Sequence, residues 1–208
     1  MRTRTLIQLP LLAAAALVAL LAFAAGCASH KVVSRVSPNE QIDLSGNWND
    51  VDSRQVAGDL VNDVFSTSWV EDHMEAKGSR PTVIVGQIAN KSVEHIPVKT
   101  FVADLERSFI NSGRVRIVAS AEEREGVRDE RADQQQYASP ETMKRWGRER
   151  GADFMLLGEI NTLVDREGGD EVKYYQVDSY MVNLETNDKV WAGVTKIKKF
   201  VGRAEYRP

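Results

Sequence analysis

The pattern of apolar and polar residues predicts two helices at the start of the globular part of the chain. Between residues 56 and 65 apolar side chains recur every three or four positions, which is typical of an amphipathic helix. Asp52 or Ser53 is expected to cap this helix, because a side-chain oxygen at that position can accept a bond from a free backbone N–H group. A second, short helix is predicted over residues 69–76, with Gly78 ending it.

The next segment has the pattern of a strand, a helix and a second strand. Residues 82–88 are β-branched and almost continuously apolar, which indicates a buried strand. A helix is predicted to begin at Pro97 and to end at Gly113, which is expected to adopt a left-handed conformation. A short strand follows over residues 115–119. This order favours a parallel βαβ unit with a right-handed crossover.

Three long strands are predicted in the C-terminal part, over residues 152–164, 172–184 and 190–197. Turn-forming sequences at 167–170 and 185–188 separate them, so we expect an antiparallel meander. Residues 121–136 are charged and poor in apolar groups, and they form either a solvated helix or a mobile loop. A further helix is predicted from Ser139, with Met143 and Trp146 facing inward. The predicted fold class is mixed α/β, with a sheet of about five strands and helices on the sheet faces.

The N-terminus has the features of a lipoprotein signal peptide. Arg2 and Arg4 precede an apolar run over residues 11–25, which is shorter than the ~20 residues needed to span a bilayer. The sequence AAGC at residues 24–27 resembles the bacterial lipobox, which implies cleavage before Cys27 and a thioether-linked lipid on its sulfur. An ordinary secretory signal with a chance cysteine, or a plain transmembrane anchor, are the alternatives. In Gram-negative lipoproteins a residue such as Ala28 after the cysteine points to the outer membrane.

These features divide the chain into three parts. Residues 1–26 are the signal peptide, 27–50 a flexible polar tether and 51–208 a single globular domain. A tether with about 20 free residues reaches at most about 70 Å when extended. As a flexible coil it spans ~25 Å on average.

Composition and charge argue against several classes of function. The chain has 27 basic and 30 acidic side chains, and removal of Arg2 and Arg4 leaves 25 basic ones, so a nucleic-acid partner is not expected. Cys27 is the single cysteine, which leaves no intrachain disulfide. The sequence contains no HExxH, CxxC, GxSxG or phosphate-loop motif, and its three histidines stand apart. We therefore expect no enzyme activity, no metal or cofactor and no small-molecule substrate.

Two stretches are candidates for contact with a partner. The loop over residues 90–96 is either a plain connector or a recognition loop on a rigid base. The tyrosines of the strand at 172–184 fall on both of its faces, so they either pack in the core or include an exposed interface residue. The candidate partner-binding residues are Asn90, Lys91, Glu94, His95, Tyr174 and Tyr175.

Several motifs together resemble one family. They are DLSGNWNDVDS at 43–53, NKSVEHI at 90–96, DLERSFINSG at 104–113 and RDERADQ at 128–134. With the lipobox and the polar tether, they resemble the LpoB family of penicillin-binding protein activators over nearly the whole mature chain. The strand–turn–strand that ends at Trp191 is also similar to a hairpin of outer-membrane assembly lipoproteins such as the curli-secretion family.

The resemblance implies a non-enzymatic lipoprotein of peptidoglycan synthesis. Its lipid, including palmitate, would fix it in the outer membrane, and its domain would reach through the cell wall in the periplasm. There it would bind an accessory domain of a class A, bifunctional penicillin-binding protein, and raise its glycosyltransferase and transpeptidase rates. The implied fold resembles the N-terminal domain of TolB. The alternative is a periplasmic scaffold for envelope assembly without a synthase partner, because the short tether requires an inner-membrane partner to project far outward.

Overall fold

The computed structural model describes residues 32–38, 40–139, 141 and 149–202. The lipobox with Cys27, and the inward-facing Met143 and Trp146 of the helix predicted from Ser139, lie outside these residues. The chain divides into two compact units, Met1–Glu40 and Gln41–Pro208. The described residues of the first unit form no helix or strand, and the following description concerns the second unit.

Four helices and five strands make up the described part of the second unit. They are α1 (Asp50–Val64), α2 (Trp69–Lys77), β1 (Thr82–Asn90), α3 (Val98–Ser112), β2 (Arg116–Ile117), α4 (Ala121–Tyr137), β3 (Phe154–Glu167), β4 (Asp170–Asn183) and β5 (Lys189–Val201). The strand order in the sheet is β2-β1-β3-β4-β5. Strand β1 is parallel to β2 and β3, and β3, β4 and β5 are antiparallel. The predicted βαβ unit, the meander and the mixed α/β class are confirmed.

Helix α1 begins earlier than predicted because Asn49 caps it. The Asn49 side chain accepts bonds from the backbone N–H groups of Val51 and Asp52, at 3.0 and 3.1 Å. In return, the Asp52 carboxylate accepts the backbone N–H of Asn49 at 2.8 Å, which completes a capping box. The prediction that Asp52 or Ser53 is the cap is therefore wrong. Both side chains are buried inside the first helical turn.

In the βαβ unit, helix α3 begins later than predicted and strand β2 is shorter than predicted. Helix α3 begins at Val98, so Pro97 precedes the helix instead of occupying its first position. Gly113 has φ 66° and ends α3 in the predicted left-handed conformation. Strand β2 contains only Arg116 and Ile117, which pair with β1 at the edge of the sheet.

The meander strands are longer than predicted at the end that carries the β3–β4 turn. Strands β3 and β4 pair without interruption, from Phe154 opposite Asn183 to Glu167 opposite Asp170. Gly168 and Gly169 form the two-residue turn, with φ 60° and 100°, values that favour glycine. The regular pairing of the hairpin therefore continues up to the two residues that flank the turn.

One face of the sheet forms the core with helices α1 and α3. Alternate residues of β4 point towards these helices, so Tyr175, Val177 and Met181 are fully or almost fully buried. Tyr174 and Tyr180 lie on the opposite face and are half-buried. The prediction that the tyrosines occupy both faces is confirmed by this alternation.

Residues 121–136, left open between helix and loop, belong to helix α4. Ser120 caps it through a capping box with Glu123, although none of its residues is buried. Arg128 donates two hydrogen bonds of 2.8 Å to Glu149. These bonds, and the charge of Glu149, raise the pKa of the guanidinium.

Candidate partner-binding site

The loop between β1 and α3 is closed by the side chain of Asn90. Its amide nitrogen donates to the backbone oxygen of Glu94 at 2.8 Å. Its oxygen accepts the backbone N–H of Ser92 at 3.0 Å. The backbone N–H of Lys91 bonds to the oxygen of Ile160 on β3 at 2.9 Å, which attaches the loop to the sheet. The loop is therefore held in one conformation by its own polar groups.

The carboxylate of Glu94 points into the domain and accepts three partners. Lys173 donates to it at 2.6 Å, the Tyr175 hydroxyl lies 2.8 and 2.9 Å from its two oxygens, and the Trp48 backbone N–H donates at 3.1 Å. Only 13% of the Glu94 side chain is exposed. Burial raises its pKa, but the bonds from Lys173, Trp48 and Tyr175 outweigh burial and hold the pKa below its usual value. Glu94 is therefore ionised and fixed.

Tyr175 is fully buried beneath the loop. Its hydroxyl also lies 2.9 Å from the backbone oxygen of Gly46, so it has acceptors on both the loop and the segment before α1. Burial raises the pKa of this hydroxyl strongly, and the neighbouring Glu94 carboxylate raises it further. Tyr175 consequently remains a neutral donor, and it connects the loop to the segment before α1.

This segment, residues 43–49, packs on the sheet and is called the strap below. Lys199 donates to Asp43 at 3.0 Å, to the Asn47 backbone oxygen at 3.2 Å and to Asp52 at 2.6 Å. Lys173 also bonds to the Asn47 side chain. Burial lowers the pKa of Lys199, but its bonds to Asp52 and Asp43 outweigh this and raise it. Hydrogen bonds, first from Gln41 and then from Lys199 and Asn49, lower the pKa of Asp43 to about 2.

The strap also inserts an aromatic side chain and approaches the sheet closely. Trp48 donates through its indole nitrogen to the Ser53 hydroxyl at 2.7 Å. Its ring meets Phe101 and Tyr175 edge to face, at centroid distances of 5.9 and 5.6 Å. Gly46 is buried, and a Cβ atom there would collide with Val201. The compact unit therefore starts at Gln41, whereas the sequence placed residues 27–50 in the tether.

One family model matches the domain that carries this loop. A model described as "Peptidoglycan-synthase activator LpoB" matches residues 52–197, which is more than half of the chain. The chain belongs to the LpoB family. The description of the family is that of an activator of a synthase, and its members are periplasm-facing envelope lipoproteins.

Three solved structures similar to this LpoB-family chain are distant in sequence. The LpoB C-terminal domain from Escherichia coli is 13% identical, with 71% of this chain and 99% of that chain covered and a TM-score of 0.37. The one from Salmonella enterica is 17% identical, with 64% and 93% covered and a TM-score of 0.31. Lipoprotein GNA1162 from Neisseria meningitidis is 12% identical, with 61% and 88% covered and a TM-score of 0.38. No curated protein sequence matches the chain.

The structure separates the predicted partner-binding residues of this LpoB-family domain into two groups. Asn90, Glu94 and Tyr175 come together, but their polar atoms hold the loop and the strap in place. Lys91 and His95 are exposed on the same loop. Tyr174 lies on the other face of β4 and donates to Gln176 at 3.3 Å. The exposed loop residues and Tyr174 thus stay candidates for contact with a partner.

Sequence reasoning missed the residues that hold the strap, Trp48, Lys173 and Lys199. One signal was available, since Lys173 and Lys199 are two residues away from Tyr175 and Ile197 and so lie on the same inward face of their strands. A lysine at such a position needs a carboxylate partner. The identity of that partner does not follow from the sequence pattern.

Within residues 32–38, 40–139, 141 and 149–202, no group of three or more His, Cys, Asp or Glu side chains could hold a metal ion. Among the helices described here, none has the length and apolar character needed to cross a membrane.

Proposed function

We propose that the protein is an outer-membrane lipoprotein that binds a class A penicillin-binding protein in the periplasm and activates peptidoglycan synthesis. The match of residues 52–197 to the synthase-activator family is the observation that supports this function most strongly. The exposed Lys91 and His95 support it as well, because they lie on a loop that Asn90 and Glu94 hold rigid. A rigid loop loses little conformational freedom when it binds.

In this proposal the protein acts by contact and has no catalytic role of its own. The buried carboxylate of the candidate site is engaged within the domain, because Glu94 accepts bonds from Lys173 and Tyr175. Such contacts hold the loop in place beneath a binding surface. The synthase would catalyse the reaction that becomes faster.

The strap makes the reach of the anchor shorter than the sequence suggested. About 15 residues separate Cys27 from the strap, which corresponds to at most about 50 Å when fully extended. The mean span of a flexible coil of this length is ~20 Å. An inner-membrane synthase would therefore have to project most of the way across the periplasm to meet the domain.

The decisive experiment measures glycan polymerisation by a purified class A synthase from the same organism. Protein that begins at residue 28 should increase the polymerisation rate several-fold and bind the synthase at micromolar concentration. Absence of both effects would reject the proposal and favour the envelope scaffold. The double variant Lys91→Glu/His95→Ala should weaken stimulation without lowering the melting temperature, whereas Val93→Ala, at an 83% exposed position of the same loop, is the control.

The lipid anchor has a separate test. Cys27→Ala should transfer the protein from the membrane fraction to the soluble fraction, because the thioether lipid can no longer be attached. Intact-mass measurement of the membrane-bound wild type should show acylated Cys27. An unmodified thiol in that measurement would reject the anchor.

A further inference from the structure

The face of the sheet opposite α1 and α3 carries exposed side chains beyond the end of β1. Strand β1 stops at Asn90, which pairs with Ile160, whereas β3 continues to Glu167. Three cross-strand rows on this face follow Ile160. They are Asn161, Gln176 and Lys196; Leu163, Tyr174 and Lys198; and Asp165, Val172 and Phe200. The outer patch is defined here as Leu163, Tyr174, Lys196, Lys198 and Phe200.

The apolar members of the outer patch are unusually exposed. Leu163 is 70% exposed and Phe200 is 69% exposed. Leu163 on β3 lies directly opposite Tyr174, and Phe200 on β5 lies in the next row on the other side of β4. Directly opposite residues have Cβ atoms ~5 Å apart. Grouped exposed apolar and aromatic side chains are typical of interaction surfaces, in contrast to single exposed ones.

A chain of hydrogen bonds orients the tyrosine of the patch. The Tyr174 hydroxyl donates to the Gln176 oxygen at 3.3 Å, and the Gln176 amide donates to both Asp178 oxygens at 2.9 Å. All three residues lie on the same face of β4. The ring of Tyr174 is therefore held in place before any partner binds.

The lysines of the patch differ from those on the inner face. Lys173 and Lys199 are buried against carboxylates. Lys196 and Lys198 are exposed, and no hydrogen bond or ion pair joins them to any residue of the described ranges. The exposed carboxylate of Asp165 lies in the neighbouring row but on β3, so the charge on β5 itself is positive and is complementary to an acidic partner.

The patch lies beside a free edge of the sheet. Strand β5 is last in the strand order, and in the described part of the chain no backbone group outside the sheet bonds to its second edge. Lysines along an edge strand disfavour pairing with an identical strand, because like charges would meet. An acidic strand has no such penalty, and strand addition is a common mode of peptide recognition.

We propose that the outer patch and the free edge of β5 bind an extended acidic segment of the synthase partner. Carboxylates of that segment lie opposite Lys196 and Lys198, and an apolar side chain lies beside Phe200. Because one face of a strand presents every second residue, the segment carries two acidic residues and one apolar residue at three successive second positions. The acidic residues come first if the segment runs parallel to β5, and the apolar residue comes first if it runs antiparallel. This inference rests on the proposed function and identifies the binding surface and the chemistry of the partner.

The test measures the affinity of the purified synthase for wild-type and variant protein at two salt concentrations. The double variant Lys196→Glu/Lys198→Glu should raise the Kd at least tenfold, and Phe200→Asp, at a 69% exposed position of β5, should raise it by a similar factor. The loss of affinity of the wild type between 50 and 300 mM NaCl should be smaller in the double variant, because fewer opposite charges are left to screen. Melting temperatures within a few degrees of the wild type would show that the variants are folded.

The controls make the same changes elsewhere on the surface. Lys77→Glu/Lys99→Glu reverses two exposed lysines on α2 and α3, and Ile110→Asp changes a 60% exposed side chain of α3. Both controls should stay within threefold of the wild-type Kd. Equal binding by the wild type and the patch variants would overturn this inference alone. Failure of the wild type to bind the synthase would overturn the proposed function and this inference with it.

Discussion

At the scale of single residues, the Glu94 carboxylate joins three parts of the chain that are far apart in sequence. Glu94→Gln would remove the nearer carboxylate partner of the buried Lys173, at 2.6 Å, and leave it with Glu171 at 3.4 Å. Breaking such a pair costs about 3 kcal/mol of unfolding free energy. Urea denaturation should detect this loss, whereas Glu122→Gln, at an 81% exposed position, should change the unfolding free energy by less than about 0.5 kcal/mol. An equally small effect at Glu94 would contradict the role assigned to its contacts.

The same residue predicts a pH dependence. The pKa of Glu94 is lower in the folded protein than its usual value of 4.5, so its contribution to stability is complete above pH 4.5. That contribution should be lost as the pH falls from 4.5 through the folded-state pKa. Asp43, with a pKa of about 2, acts in the same direction. Urea midpoints between pH 7 and pH 3 should fall more steeply for the wild type than for Glu94→Gln, and parallel curves would contradict this prediction.

At the scale of elements, the strap contributes to stability through its aromatic residue. Trp48→Ala removes a half-buried ring that contacts Phe101 and Tyr175, and also the donor to Ser53. The expected loss is about 3 kcal/mol, at the lower end of the range for removal of a buried aromatic ring. Leu44→Ala, at a 95% exposed position of the same strap, is the matched control for the denaturation curve. Similar curves for both variants would mean that the strap is not part of the cooperative unit.

Helix α4 should open independently of the core, because none of its residues is buried. Ser120→Ala removes the side chain that caps it, which costs about 1 kcal/mol of local helix stability. Hydrogen exchange over residues 121–137 should become faster in this variant, while exchange in β3 and β4 and the global melting temperature stay unchanged. A global loss of stability would show that α4 packs more closely than its exposure indicates.

The elements differ in how far the sequence predicts them. Some elements depend only on residues that are close together in the sequence, so the local pattern is sufficient to predict them. They are the apolar stripes of α1 and α3, the capping glycine Gly113 and the turn at Gly168. The strap was not predicted, because Trp48 stands alone among polar residues. Its burial depends on contacts such as that between Asp43 and Lys199, which are 156 positions apart. For the same reason Glu94 was interpreted as a surface residue, since its polarity is visible in the sequence and its buried partners are not.

At the scale of the whole molecule, the two faces of the sheet carry different kinds of side chain. The inner face holds the core, the strap and the base of the loop, whereas the outer face carries exposed apolar and basic groups beyond β1. Substitutions on the inner face should therefore affect unfolding, and those on the outer face should affect binding. Thermal denaturation and synthase affinity, measured on one set of variants, should place Glu94 and Trp48 in the first class and Phe200 and Lys198 in the second.

The position of the strap also determines how the domain responds to mechanical force. If the protein is anchored as proposed, a force applied from its N-terminal side enters the globular unit at Gln41. Along the backbone it meets the contacts of Asp43, Asn47 and Trp48 before it reaches the first turn of α1. The strap would therefore detach first under tension, and the helices would be extended only at a later stage of forced unfolding.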